Sequence, residues 1–396
     1  MIVMKYLVNL KLASALVGGV LISMLCGCDD ADYKVIDNAV YLSEAYSNPG
    51  LSKKISIDTE SSIAVTATVR ATQTVAQDTK ATLGVDEQAL DTYNKKNGTN
   101  YILLPTDKYS FSEKEVTIQA GKVSAGVASI TIQPMTQEML DSGNKYALPI
   151  SIMHTDGNLL ESMQNMIYLM DPVIITSVPV LTGSTPAKLN MTKDYNVTQW
   201  SVELRVNMSI LGTEVGEYNN QALFSANPSS GKAEDGEIYI RFGDAPIAGN
   251  ILQVKTQGTQ INCPTPFNAK QWYHLAFVCN GPTLTIYVDG KVEATLDLPN
   301  KPLSLDRNNF GICGGGSYLV ADVMMSELRF WTTAISQSQI QNNMYTINPQ
   351  TEGLEGYWKL NEGDGSTFND ATGHGNTGVA TNGVVRWEHG IRSDGK

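Results

Sequence analysis

The chain is short of nearly every residue on which catalytic or disulfide-built proteins rely. It has five cysteines and four histidines among 396 residues. Cys26 falls in the amino-terminal leader and Cys28 directly after it, which leaves Cys263, Cys279 and Cys313. An odd number of widely spaced cysteines is no disulfide framework, although one pair could bridge in an oxidising compartment. No CxxC spacing with partner histidines occurs, so zinc is not expected. His154, His274, His374 and His389 have no Ser or Cys nucleophile and no metal-ligand spacing beside them. His274 falls within a strand pattern and reads as a packed sheet residue. Positive charge is short too: 28 Lys and Arg against 40 Asp and Glu give a net charge of −12. With no basic stripe to displace phosphate counterions, nucleic acid is excluded as a partner.

The long apolar run of the chain is at its start. Lys5 and Lys11 are followed by the stretch from Leu12 to Leu25, too short to span a bilayer and of the length of a signal-peptide core. It ends in Leu25-Cys26-Gly27-Cys28. An apolar residue at −3, a small one at −1 and then Cys form the pattern of bacterial lipoprotein processing. Residues 1–27 are thus expected to be removed and Cys28 to be acylated. Cys26 fits poorly, because Leu25 would hold the small-residue position. Several acyl chains, at about 0.8 kcal/mol per buried CH₂, would make the membrane anchor permanent. Residues 28–37 read as a polar tether. Its Asp29, Asp30 and Asp32 resemble the export signal of surface lipoproteins in Gram-negative gut bacteria, which implies an outer-membrane anchor facing the exterior. A plain solvated tether would serve a periplasm-facing protein as well.

After the tether the pattern is all-β. Ala39–Leu42, Ile55–Ile57 and Ser62–Val69 are strand-like, and strands resume at Glu115–Gln119, Ala128–Gln133, Ala147–Met153 and Met166–Met170. One helix interrupts them, capped by Asp86, with Leu90 and Tyr93 on one face and a left-handed stop at Asn97-Gly98. The spacing predicts an Ig-like β-sandwich over 38–172. The strand pattern lapses around Pro172 and Pro179, which predicts a flexible joint between Asp171 and Val180. Beyond it the alternation is clean. Trp200, Val202, Leu204, Val206 and Met208 share one face; Ile238, Ile240 and Phe242 share another, opposed to Tyr239 and Arg241. Leu252 and Val254 alternate with Gln253 and Lys255, and Leu284, Ile286 and Val288 with Thr285 and Tyr287. Such sheets have one packed side and one wet side.

Two resemblances rest on short motifs in order. Ala81-Thr82-Leu83, Tyr93 to Tyr101, Leu104-Pro105, Ile118 to Gly121 and Tyr146 to Pro149 resemble the small Ig-like domain of unknown function found ahead of surface endo-β-N-acetylglucosaminidase domains. That resemblance implies a spacer and no chemistry. Trp272 to Val278 leading into Leu284 to Gly290, Ser326 to Trp331, and Gly356 to Leu360 leading into Asn369 to Gly373 resemble the laminin-G-like, concanavalin A-like jelly roll. It implies a second sandwich over 173–396, a short helix at Gln337–Tyr345, and Trp200, Trp272, Trp331 and Trp358 in the core. The family often has Asp where this chain has Ser326, so a polar role for that position is not carried over.

The jelly roll hosts lectins, adhesins and hydrolases alike, so function must be read from residues. Hydrolysis on such a sheet uses two carboxylates across one strand, in a Glu-x-Asp-x-(x)-Glu pattern with apolar spacers. The nearest run, Glu234-Asp235-Gly236-Glu237, lacks the spacers and reads as a turn. An α/β barrel would need about 250 further residues. The expectation is a non-enzyme. Calcium is a possible cofactor, because Glu362, Asp364, Asp370 and Asn376 supply hard oxygens in a Gly-rich loop; the same residues also make Asx turns. Sugar recognition needs a flat ring for the C–H face and a polar fringe for the hydroxyls. Tyr239, Arg241, Gln253 and Lys255 offer both on one hairpin, and Tyr287 and Tyr318 are further candidates. The expected partner is a glycan, in company with uptake or hydrolase proteins. An adhesin or assembly component gripping a protein partner is the alternative, and a glycoside hydrolase the third.

Overall fold

The computed structural model describes residues 37–394. Cys26, Cys28 and the acidic residues up to Asp32 lie outside that range. Two β-sandwiches succeed one another. In the first, a five-stranded sheet runs in the order Asn158–Leu159, Ala39–Leu42, Ile63–Ala71, Ser124–Ile132 and Tyr109–Phe111. The facing sheet runs Ser52–Ile57, Asn165–Pro172, Tyr146–Thr155, Thr79–Val85 and Glu115–Ile118. Between them Val65, Ala67, Val69, Ile130, Ile132, Leu148, Ile150 and Ile152 form the core, as their alternation requires. The helix is Glu87–Asn97. Asp86 accepts from the amides of Gln88 and Ala89, and Gly98 closes the helix in the left-handed region at φ 62. Leu90 packs on Ala147, Ile167 and Leu169, so the second sheet is buried on both faces.

The second sandwich is larger. One sheet, termed the covered sheet, runs Lys291–Asp297, Thr283–Val288, Trp272–Cys279, Trp200–Met208, Val323–Trp331, Ile175–Leu181 and Arg386–Arg392, with Leu354–Trp358 paired to Val323–Trp331. The other, the open sheet, runs Thr259–Asn262, Ile247–Thr256, Ile238–Asp244, Gln221–Ala226, Phe310–Ile312, Ala187–Leu189, Gly378–Ala380 and Thr367–Phe368. Ile238, Ile240, Phe242, Leu252 and Val254 all enter the core between the sheets, so the strand phase read from alternation holds. Cys263, Cys279 and Cys313 are all free and buried, and no two of them bridge. Burial pushes the Cys313 thiol up to about 12, so it stays a protonated, inert packing group.

The covered sheet departs from the expected wet face. All nine residues of Trp200–Met208 are buried, including Ser201, Glu203, Arg205 and Asn207. The cover is the chain from Thr332 to Tyr357. Within it Ser336 and Gln339 form a reciprocal capping box at the start of the helix Gln337–Asn343. That helix sets Ile340 against Ala276, Val278, Trp331 and Tyr357 on the outside of the sheet. Trp331 therefore belongs to this outer cluster, whereas Trp200 and Trp358 are in the central core.

The joint also differs from expectation. Only Val173 and Ile174 separate the last strand of the first sandwich from the first strand of the second. Val173 donates to Ile57 O (2.8 Å), and Ile174 O accepts from Ser393 N (2.9 Å). Pro179 is tolerated because Ile175–Leu181 pairs with Val323–Trp331 only at Val180 and Leu181, leaving one ladder edge free at the proline. The sandwiches touch directly: Lys359 Nζ donates to Asp141 O and Asn348 Nδ2 to Asn144 Oδ1, each at 2.8 Å. At Gly143, with φ +65, a Cβ would lie 2.0 Å from Ile347 O, so both conformation and contact require glycine.

Candidate functional site

Among the described residues, no helix covers the outer face of the open sheet. Cross-strand registers place Gln260, Lys255, Tyr239, Ser225, Gly311, Lys188 and Val379 in one row across it. Small Ser225 and Gly311 sit in mid-row, between Tyr239 on one side and Lys188 on the other. Tyr239 is half-buried and points outward, because its neighbours Ile238 and Ile240 point inward.

The next row explains why Tyr239 is held. Arg241 and Gln253 face each other across the hairpin. Arg241 Nε and Nη2 donate to Gln253 Oε1 (2.9 and 2.6 Å), Nη1 donates to Asn220 Oδ1 (2.9 Å), and Nη2 pairs with Asp244. Gln253 Nε2 donates to Asn262 Oδ1 (2.9 Å). Asn220 Oδ1 also accepts the Tyr239 hydroxyl (2.7 Å). Burial raises the Tyr239 pKa, with Arg241 and Asn220 opposing it, so the phenol stays a donor.

These contacts correct the roles given to two candidates. Arg241 is 7% exposed and Gln253 1%, and the donors of Arg241 are committed to protein acceptors. Neither is a free fringe for hydroxyls; both brace the platform. Tyr239 and Lys255 remain at the surface, directly opposite each other. Tyr318 is exposed, on the turn Gly316–Tyr318. That turn lies beside the same hub, because a Cβ on Gly315 would sit 2.8 Å from Asn220 O. Tyr287 does not join them. It lies on the covered sheet, half-buried against the cluster of Ala276, Trp331 and Ile340. Asn220 was missed because it sits in an irregular loop; its φ of 59, a region Asn tolerates better than most residues, is visible only in three dimensions.

The covered sheet carries a second polar array. Buried Glu203 accepts from Trp331 Nε1 (2.9 Å) and lies 3.5 Å from both Arg329 Nη1 and His274 Nε2. Arg329 also pairs with Glu327, which accepts the Tyr357 hydroxyl (2.6 Å). Burial works to raise the Glu203 pKa, but Arg329, then His274 and Trp331, hold it below its ordinary value. His274 is packed, as expected, at 2% exposure. Trp272 is not core: it is half-buried on the outer face, its ring 4.9 Å from the Arg205 guanidinium.

Of the four proposed calcium ligands, Glu362, Asp370 and Asn376 are engaged in hydrogen bonds and Asp364 is exposed. Asp370 Oδ1 accepts from the amides of Tyr357 and Thr372 and from the Thr372 hydroxyl, and Oδ2 from Asn376 N. Asn376 Oδ1 is taken by Thr192, and Glu362 Oε1 accepts from Asn369 N. Of their buried oxygens only Glu362 Oε2 has no hydrogen-bond partner. Among the described residues no three His, Cys, Asp or Glu side chains gather as metal ligands. The acid cluster closes turns instead. The run Glu234 to Glu237 overlaps one short helical turn, Ala233–Gly236, with Glu234 and Asp235 exposed.

Comparison with known proteins agrees with this architecture. Residues 181–341 match the family described as the concanavalin A-like lectin/glucanases superfamily, and residues 36–159 match a family described as an N-terminal domain. No curated protein matches the sequence. A structure from Bacteroides ovatus ATCC 8483, provisionally described as a carbohydrate binding protein, covers 89% of this chain and 97% of its own at 22% identity and a TM-score of 0.62. That likeness shows the fold. EndoBT-3987 of Bacteroides thetaiotamicron, solved with a Man5GlcNAc product, covers 34% of this chain and 30% of its own at 26% identity and a TM-score of 0.28. The SAP-like pentraxin of Limulus polyphemus covers 54% and 95% at 16% identity and a TM-score of 0.37. The last two superpose too loosely to bear on function.

Proposed function

We propose that this chain, in which a concanavalin A-like domain succeeds a separate amino-terminal sandwich, is a non-catalytic carbohydrate-binding protein. The glycan lies along the outer face of the open sheet. Tyr239 offers its ring to a sugar face, with Lys255 opposite it and Tyr318 on the adjoining turn. Arg241, Gln253 and Asn220 fix the ring without touching the ligand. The observation that carries this reading is the row at Tyr239: an outward aromatic ring, braced by a buried hydrogen-bonded hub, next to the small residues Ser225 and Gly311. A pre-set ring costs little ordering on binding, which is what a weak sugar site needs. The lectin-like family match and the description of the Bacteroides ovatus structure support the same ligand class.

The amino-terminal sandwich acts as a spacer. Together with acylation at Cys28 it would hold the jelly roll off an outer membrane, facing the exterior, where captured glycan passes to uptake or hydrolase proteins. A glycan array tests the ligand class. Binding confined to one glycan family supports the reading. Background on every glycan, with retention of a protein from the same envelope, would move the function to protein adhesion.

A further inference from the structure

The covered sheet holds two buried arginines on its outer face, and their surroundings are opposite. Arg329 has Glu203 and Glu327 beside it and donates to Asn343 O (2.8 Å). Burial alone would lower its pKa, yet those two carboxylates carry it above the ordinary value. Arg205, on the neighbouring strand, is 4% exposed and has neither a hydrogen-bond acceptor nor an ion-pair partner among the described residues. Its guanidinium lies instead over two rings, Trp272 at 4.9 Å and Tyr345 at 5.1 Å. Its cross-strand neighbours are His274 and Ser326, neither an anion. Burial lowers its pKa, with Glu327, Tyr345 and Asp289 opposing only in part.

A desolvated cation without an acceptor is costly unless something supplies one. The two rings offer it no acceptor, so its N–H donors have no hydrogen-bond partner among the described residues around it. A cavity of about 600 Å³ opens there, within the range of about 300–1,000 Å³ common for small-ligand sites. Lys270 and Gln271 join Arg205, Trp272 and His274 in its wall. Two acids also line it and both are engaged: Asp289 Oδ1 accepts from His274 N (2.9 Å), and Asp394 pairs with Arg392 (2.8 Å). Asn207 Oδ1, His274 Nδ1 and Ser326 Oγ are buried nearby without partners. Among the described residues, therefore, no free acid faces the Arg205 guanidinium in this cavity.

We infer that this cavity is a second ligand site, which takes the carboxylate of an acidic sugar on the edge of Arg205, beside Trp272 and Tyr345. A carboxylate is planar and matches the guanidinium fork with two parallel hydrogen bonds. The flanking aromatic walls suit the C–H faces of the attached ring. Lys270 adds a second positive charge. This site is on the opposite sheet from the Tyr239 row and does not depend on it.

Calorimetry on the purified protein tests the inference with sodium D-glucuronate, D-galacturonate and N-acetylneuraminate, each against glucose, acetate and inorganic phosphate. At least one acidic sugar should bind at least tenfold tighter than acetate or phosphate, and any heat given by glucose should be the same in Ser326→Asp as in the wild type. Ser326→Asp sets a carboxylate opposite Arg205 and should abolish that binding while the melting temperature holds or rises. Binding of neutral glycan at the Tyr239 face should be unchanged in Ser326→Asp, so failure of one site is distinguishable from failure of the other. Tyr345→Ala, at a partly exposed ring, should weaken acidic-sugar binding severalfold if Ser326→Asp does not fold. No binding of any of the three acids overturns the inference, as does binding that neither variant changes. Phosphate binding as tightly as the sugars would overturn the carboxylate assignment.

Discussion

Asn220 is the residue whose loss should reveal how the Tyr239 platform is held. Its Oδ1 accepts from the Tyr239 hydroxyl and from Arg241 Nη1, so one atom joins the ring to the buried brace. Asn220→Gly removes that acceptor while keeping a residue at ease at φ 59. The lost neutral bond is worth about 0.5–1.5 kcal/mol, and the bond from the guanidinium about 1.5 kcal/mol, the low end because Gln253 and Asp244 still hold Arg241. Added flexibility of the unfolded chain costs a further ~0.5 kcal/mol. The expected destabilisation is about 2.5–3.5 kcal/mol, readable as a lower urea midpoint with unchanged slope. Asn220→Ala should cost about 1 kcal/mol more, since alanine resists the left-handed region. Asn220→Asp, which keeps the acceptor and adds charge toward Arg241, should unfold near the wild-type midpoint. If the Gly and Asp variants unfold together, Oδ1 is not the hub and the braced-platform argument fails.

Other outcomes rest on the same contacts. Gly315→Ala should destabilise by about 1–3 kcal/mol, because its Cβ would meet Asn220 O at 2.8 Å and Leu319 Cβ at 3.1 Å; an unchanged melting temperature would show that the turn is free to move. Glu203→Gln should cost about 3 kcal/mol, at the low end for a broken buried pair since Glu327 still faces Arg329. The folded Glu203 carboxyl titrates below its ordinary 4.5, so the folded state resists protonation. Its stabilisation is therefore complete above that pH and is lost as pH falls through the folded value. Acid unfolding curves of the wild type should thus steepen below about pH 4.5 relative to Glu203→Gln, and parallel curves would contradict the pairing. Cys28→Ala should release the protein from detergent-extractable membranes and Cys26→Ala should not; retention of the Cys28 variant would refute the anchor.

Strand phase was legible in the sequence wherever an apolar face met a core. Ile238, Ile240 and Phe242 point inward because period-two alternation leaves them no other side. Alternation says nothing about what covers the opposite face, and there the reading failed. Glu203 and Arg205 look like wet residues along Trp200–Met208, yet a segment more than a hundred residues later folds over them. The signs of that cover, the Ser336-x-x-Gln339 box and apolar Ile335 and Ile340, were present but carried no register to the sheet. For the same reason Trp272 looked like core and Tyr287 like ligand surface. Arg241 and Gln253 were correctly paired across the hairpin, but polar side chains on an outer face can bond to one another as readily as to a sugar. The acids at 362–376 show that limit again: Asp370 accepts backbone amides that no spacing rule reveals.

The central claim, a sugar platform on the open sheet, is tested most directly by calorimetry on Tyr239→Ala beside Tyr287→Ala, with a glycan found by array. Removing the Tyr239 ring should cost about 1–2 kcal/mol of binding, by analogy with aromatic contacts in general. That is about a tenfold loss of affinity. Tyr287→Ala, on the covered sheet, should bind as the wild type does. Unchanged affinity in a folded Tyr239→Ala, or an equal loss in both variants, would contradict the account.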